Sequence, residues 1–280
     1  MISRIFLTAV FIIFLSPIYL CASFEIFPNK KPIINSHSTL FNSFDGLDVL
    51  YLYNKNDLAH YMAVNFGVKY VIFHINTPDV NIDLSVMGRA SVRFELFSES
   101  FNMLHADYLG GLALDVQHQG FISETWFYHI SSHLGDDAII YNNEKYVNAG
   151  WEAIRQYFNY DFYHWFRASL GLEYKIMKRP NDRIFYDLSY FIGGKLNGIS
   201  FNIPLFIETE IEIINFDHSP NFGVKLGIYL DHLINKNMMD KKDDRDKHII
   251  FISYYHGYSK IAYLYNRRDN LFILGRTFRY

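Results

Sequence analysis

VNIDLSVMGRASVRFELFS, running from Val80 to Ser98, alternates apolar and polar residues over its first seventeen positions. One parity holds Val80, Ile82, Leu84, Val86, Gly88, Ala90, Val92, Phe94 and Leu96; the other holds Asn81, Asp83, Ser85, Met87, Arg89, Ser91, Arg93 and Glu95. Side chains on a β-strand point to opposite faces with period two, so a strand here has one apolar and one charged face. A strand half-buried in a soluble sheet runs only about five or six residues. A run three times longer fits a tilted strand that crosses a bilayer and emerges from it.

The same period recurs along the chain. At the C-terminus Phe272, Leu274, Phe278 and the final Tyr280 share one parity. Lipid offers no water to unpaired backbone groups, so a spanning sheet must close on itself. The expected fold is all-β, an antiparallel transmembrane β-barrel of about 12 strands. They are predicted near 47–54, 60–74, 79–97, 103–118, 120–133, 146–158, 161–177, 183–195, 199–214, 221–234, 247–256 and 269–280. Ten strands is the competing count, because bacterial single-chain barrels have even numbers and the first and eleventh patterns are weakest.

Composition agrees. Tyr and Phe, 22 and 26 of 280 residues, are in the excess that membrane-interface girdles use. The segment 1–23 carries Arg4, the apolar run Ile5–Leu15, a Ser16-Pro17 break and the small residues Cys21-Ala22-Ser23. That is the pattern of a secretory signal peptide, too short to span as a stable helix. The expected organisation is therefore a signal peptide (1–23), a poorly patterned periplasmic leader (24–45) and the barrel (46–280). Cys21 is the single cysteine, so the mature chain has no thiol chemistry. A lipoprotein reading of Cys21 is opposed by Leu20, which stands where the processing peptidase needs a small residue. The net charge of −3 gives no reason to expect nucleic acid. The expected location is the outer membrane of a Gram-negative-type bacterium. Expected partners are membrane lipid, lipopolysaccharide and, through Phe278 and Tyr280, the barrel-assembly machinery. Oligomeric state is not legible.

With the C-terminal strand ending in the periplasm, 76–79, 117–120, 159–161 and 196–198 become short periplasmic turns. The longer connections 134–145, 215–220 and 257–268 face outward. Asn235–Asp246, with the charge run DKKDDRDK at 240–247, is long yet falls on the periplasmic side, which leaves room for a miscounted strand.

Strand parity proposes an inward face. It comprises Lys69; Asp83, Arg89, Arg93 and Glu95; His105, Asp107 and Asp115; His129, Ser131 and His133; and Asn148 and Glu152. Further along come Arg167, Glu173 and Lys175; Asp187; Glu208, Glu210 and Glu212; and Lys225 and Asp231. Opposite charges on neighbouring strands stabilise a narrow interior. The three stacked glutamates need pairing, for which Lys225 and Arg183 are at hand. A barrel of this size is narrower than a general porin, which needs 16–18 strands for an open aqueous channel.

The densest polar signature is Tyr128–Asp137, YHISSHLGDD. His129, Ser131 and His133 share one face; Trp126, Tyr128, Ile130 and Ser132 share the other. Gly135, Asp136 and Asp137 are turn residues. With His105, Asp107, Asn148 and Glu152 on adjoining strands, the motif is read as a polar lumen cluster near the extracellular mouth. Imidazoles beside carboxylates allow three roles: anchoring of the outer loops, a divalent-cation site, or a His–Ser–acid nucleophile system built on His129, Ser131 and Glu152. No cofactor other than such a cation is implied.

The string His129-Ile130-Ser131-Ser132-His133-Leu134-Gly135-Asp136-Asp137 resembles the hallmark of an uncharacterised family of bacterial outer-membrane barrels, a domain of unknown function whose last motif position is more often Glu. Phe27-Pro28 and Gly257-Tyr258 are weaker echoes. The resemblance implies an outer-membrane barrel and brings no activity with it. His129-x-Ser131 also resembles the His-x-Ser-Asn of the lipid A 3-O-deacylases, barrels with a Glu further along. Ser132 departs from that Asn, and Glu144 lies near the distance of the acid. The deacylases present their site to the membrane, whereas parity here places His129 and Ser131 in the lumen. The expected function is thus a narrow channel or structural surface protein with an ion-paired lumen. The alternative is a lipid A deacylase-like hydrolase using His129 and Ser131.

Overall fold

A computed structural model of the chain describes residues 23–28, 45–98, 101–136, 139, 149–163, 165–179, 188–198, 203–214, 220–234, 248–259 and 267–279. The strands are β1 (Ser23–Ile26), β2 (Asp45–Asn54), β3 (Ala59–Asn76), β4 (Val80–Glu95), β5 (Met103–His118), β6 (Phe121–Leu134) and β7 (Ala149–Phe162). They continue as β8 (Phe166–Arg179), β9 (Leu188–Asn197), β10 (Leu205–Ile214), β11 (Asn221–Tyr229), β12 (His248–Tyr258) and β13 (Arg268–Arg279). β2 to β13 pair antiparallel in chain order, and the β13–β2 ladder, from Leu271 opposite Asn54 to Arg279 opposite Gly46, closes the cylinder. Each of the 12 barrel strands overlaps one of the predicted segments. Ten strands is excluded.

Three details correct the expectations. The leader is not wholly unpatterned: β1 pairs with β3, Ser23 opposite Asn76, along the edge of β3 that lies beyond the end of its ladder with β2. Asp231 does not line the interior on a strand, because β11 stops at Tyr229 and the chain turns into a short helix, α1 (Leu230–Ile234). There Asp231 accepts hydrogen bonds from the backbone N–H (2.8 Å) and Nδ1 (2.9 Å) of His248. β11 and β12 are direct neighbours in the closed ladder, so no barrel strand stands between them. Residues 235–247 lie outside the described ones, as do Tyr280, Glu144, Arg183 and Asp187.

The interior is a packed core. Leu50, Leu52, Tyr61, Phe206, Tyr229, Ile249, Phe251, Tyr255, Leu271 and Ile273 form one buried apolar cluster; Met87, Leu109, Trp126, Tyr128 and Ile130 form another. Inward glycines make room for the rings: a Cβ on Gly171 would fall 2.6 Å from the Tyr157 ring. A charged network shares the interior with them. Lys69 Nζ is 2.6 Å from Asp115, His74 Nδ1 is 2.7 Å from Asp83, and Asn159 donates to Glu124 at 3.0 Å. Arg155 Nε donates to Glu173 at 2.6 Å, and the Tyr128 hydroxyl donates to the same carboxylate at 2.6 Å. The Arg155 guanidinium also lies 5.3–5.8 Å from the ring centres of Trp126, Tyr128, Tyr157 and Phe191. Arg89, Arg93, Glu208, Glu210 and Glu212 lie on the inward face as expected. Glu208 stands between Lys195 and Lys225 in the ladders, and Glu212 accepts from Asn221 at 2.8 Å.

Candidate active site

β6 reverses the predicted parity. Ile122, Glu124, Trp126, Tyr128, Ile130, Ser132 and Leu134 point inward and are buried; Phe121, Phe127, His129, Ser131 and His133 point outward. The cause is the hairpin. β5 ends at His118 and β6 begins at Phe121, so odd-numbered residues of β5 face even-numbered residues of β6: Asp115 meets Glu124, Asp107 meets Ser132 and His105 meets Leu134. With His105 and Asp107 buried inside, His129, Ser131 and His133 have to lie outside. The expected lumen cluster is divided by the barrel wall. The aromatic face of β6, which resembles a lipid-facing surface, instead packs around Arg155.

The outer part of that cluster stays together and keeps Glu152. Glu152, predicted inward, stands opposite His129 on β7 and shares its outward face. Glu152 Oε1 lies 3.9 Å from His129 Nδ1, with the two side chains 36% and 60% exposed. The two polar atoms face each other at a distance longer than a hydrogen bond. Ser131 follows His129 at i+2 on the same face, next to Gly150 of β7 and Tyr108 of β5. His133 continues the row, its ring 5.9 Å from that of Tyr108. Exposed Leu112, Phe127, Ile154 and Met177 surround the group.

At roughly 3.3 Å per residue along a strand tilted about 40°, His129 is about 13 Å from the Leu134 end of β6, measured along the barrel axis. Two backbone features flank the site. On the β5 side Gly110 is opposite His129, and a Cβ there would meet nothing within 4 Å. On the β7 side the ladder with β8 slips between Glu152 and Ala153, since Glu152 pairs with Met177 but Ala153 with Lys175. Bulges of this kind re-aim side chains and are frequent beside active sites. This one turns Met177 and Arg179 outward, although Glu173 and Lys175, of the same numerical parity, face inward.

Of the remaining motif residues, Gly135 is buried and its N–H donates to Leu104 O at 2.8 Å, with no room for a Cβ against Met103 O. Its role is close backbone approach rather than turn conformation. Asp136 is exposed. Asp137 and Asn148 lie outside the described residues. Among the described residues, no group of three or more His, Cys, Asp or Glu side chains is arranged to hold a metal ion.

The family model described as "Protein of unknown function (DUF1207)" matches residues 48–280. The chain belongs to this family. No curated protein matches the sequence. Among solved structures, the DUF1207 chain is similar to outer membrane phospholipase A from Escherichia coli, at 11% identity over 88% of this chain and 95% of that one, with a TM-score of 0.60. It is also similar to the outer membrane phospholipase (OMPLA) dimer of Salmonella typhi with bound calcium, at 13% identity over 88% and 94%, with a TM-score of 0.61. The KdgM porin aligns at 9% identity over 84% and 99%, with a TM-score of 0.47. The two phospholipase likenesses show that the DUF1207 chain has the fold of outer-membrane barrels.

Proposed function

We propose that this DUF1207 protein is a serine-type acyl-ester hydrolase of the outer membrane, acting on lipid that meets the barrel wall from the side. Ser131 is the nucleophile, His129 the general base and acid, and Glu152 the group that orients His129. The carrying observation is that these three side chains share one patch of the outer wall, beside exposed Leu112, Phe127, Ile154 and Met177. Polar and ionisable groups on that face are costly and are retained for function. With Nδ1 of His129 turned towards Glu152, Nε2 is the nitrogen available to Ser131. Triad contacts are commonly loose without substrate and tighten in the reacting complex.

In the proposed reaction, His129 takes the Ser131 hydroxyl proton as Oγ attacks the ester carbonyl carbon. It then returns the proton to the departing alkoxide, leaving an acyl-Ser131. Water, deprotonated by His129, attacks the acyl carbon and releases the fatty acid, and Ser131 recovers its proton. Ser132 is turned inside, so the Asn-like oxyanion donor of the deacylases is not supplied by that side chain. Tyr108 and His133 are the polar side chains beside Ser131. Two structural neighbours are named as outer membrane phospholipases; at 11–13% identity they speak for the fold, and the triad argument rests on this chain's own residues.

The test is release of fatty acid from phospholipid and lipid A by the full chain in mixed micelles. Glu152→Gln is expected to fold normally and to lose on the order of 10²–10⁴-fold in kcat, since removing the orienting carboxylate costs up to about 10⁴ in a tuned triad. Unchanged kcat would remove Glu152 from the mechanism.

The second reading is a narrow channel. What weighs against it is the packed core, in which Trp126, Tyr157, Tyr229 and Tyr255 are each at most 2% exposed. Steady single-channel steps in a planar bilayer are not expected, and their observation would restore the channel.

A further inference from the structure

We propose that Arg179 is a phosphate subsite, so that the substrate is an acylated membrane lipid bearing a phosphate a few atoms from the scissile ester. This rests on the hydrolase reading and deepens it. Ser131, Gly150 and Arg179 form one outward row across β6, β7 and β8. Gly150 has no side chain to fill the middle of that row, and its backbone packs so closely that a Cβ would fall 2.6 Å from Ile130 O. With strands about 4.8 Å apart, Ser131 and Arg179 are separated by roughly 10 Å of open wall. Arg179 reaches this row only because of the Glu152/Ala153 slip: in unbroken alternation it would point inward with Glu173 and Lys175. It is exposed at the C-terminal end of β8, where a guanidinium matches phosphate geometry with paired donors.

On the opposite side, Tyr108 stands beside Ser131, while beyond His129 the wall is bare backbone. Gly110 and Gly88 lie side by side on the outer face, opposite each other in the β4–β5 ladder. A Cβ at Gly88 would meet only Leu109 O, at 3.9 Å. Packing therefore demands neither glycine. Glycine within a strand costs stability and marks close approach of another group. The two ends of the site thus differ in chemistry, a cation beyond Gly150 and bare backbone beyond His129. They orient the lipid with its phosphate toward β8 and its acyl chain toward β4.

The test uses full-length protein in neutral detergent. In a Ser131→Ala background, native mass spectrometry compares retention of phosphatidylglycerol, phosphorylated lipid A and uncharged diacylglycerol. At least one phosphate lipid is expected to be retained about tenfold better than diacylglycerol, and which one identifies the source of the phosphate. Arg179→Ala should abolish that preference and Arg179→Lys should restore part of it. With Ser131 intact, the ratio of kcat/KM on the phosphate lipid to that on diacylglycerol should fall about tenfold in Arg179→Ala. A preference that is absent, or that survives Arg179→Ala, overturns the subsite even if turnover is found. An Arg179-dependent preference without turnover in the parent protein overturns the hydrolase and leaves the subsite standing.

Discussion

Ser131→Ala is expected to abolish fatty-acid release while leaving the barrel intact. Removing the nucleophile of a tuned serine hydrolase costs on the order of 10⁶ in kcat. With Glu152 3.9 Å from His129, a less optimised triad is expected to lose at least about 10³-fold, which brings the rate to background. Folding should be unaffected because Ser131 lies on the outer wall, apart from the packed interior. The measurement is fatty-acid release in mixed micelles, paired with heat-modifiable migration on gels to confirm the folded barrel. His129→Ala should match Ser131→Ala, since the two act as one unit, and the double variant should be no slower than either alone. Full activity in folded Ser131→Ala protein would end the hydrolase reading.

Glu173→Gln is expected to be the most destabilising single change in the interior. Glu173 accepts from Arg155 Nε and from the Tyr128 hydroxyl, and Lys175 Nζ is 3.7 Å from its other oxygen. Neutralising it leaves Arg155 and Lys175 facing each other with no anion between them. Breaking a buried ion pair from one side costs about 3–5 kcal/mol, because the remaining charge stays buried and uncompensated. Arg155→Met in the same chain should recover part of that loss, since the guanidinium then no longer needs a counter-charge. Urea unfolding in lipid, comparing the two single variants with the double, measures the coupling. A Glu173→Gln barrel as stable as the parent would show that the rings around Arg155, and not the carboxylate, hold it.

Most of the barrel was legible because a two-residue period is hard to counterfeit over 16 or 18 residues, as in β4 and β3. The inward charges of β4, β5 and β10 followed directly. In β6 polarity points to the wrong face. Trp126 and Tyr128 resemble lipid-facing aromatics but pack around a buried guanidinium. The information needed was present in the chain: a two-residue turn at Gln119-Gly120 fixes the pairing parity, so inward Asp107 and Asp115 require inward Ser132 and Glu124. Turn length outranks composition when two faces compete. The β7–β8 slip is different. No residue type in 152–177 announces it, so Arg179 was beyond reach of sequence parity.

The pairing order also has a meaning in time. The barrel closes between β2 and β13, its first and last strands to be made, with Gly46 against Arg279. β1 lies along the spare edge of β3, away from that seam. His129, Ser131, Glu152 and Arg179 lie on β6, β7 and β8, near the opposite wall and joined by consecutive hairpin ladders. A chain that has not yet sealed can therefore already hold its outer-wall chemistry in register. Faults at the seam would yield protein that leaks or degrades, whereas faults in the β5–β8 meander would yield sealed barrels without chemistry.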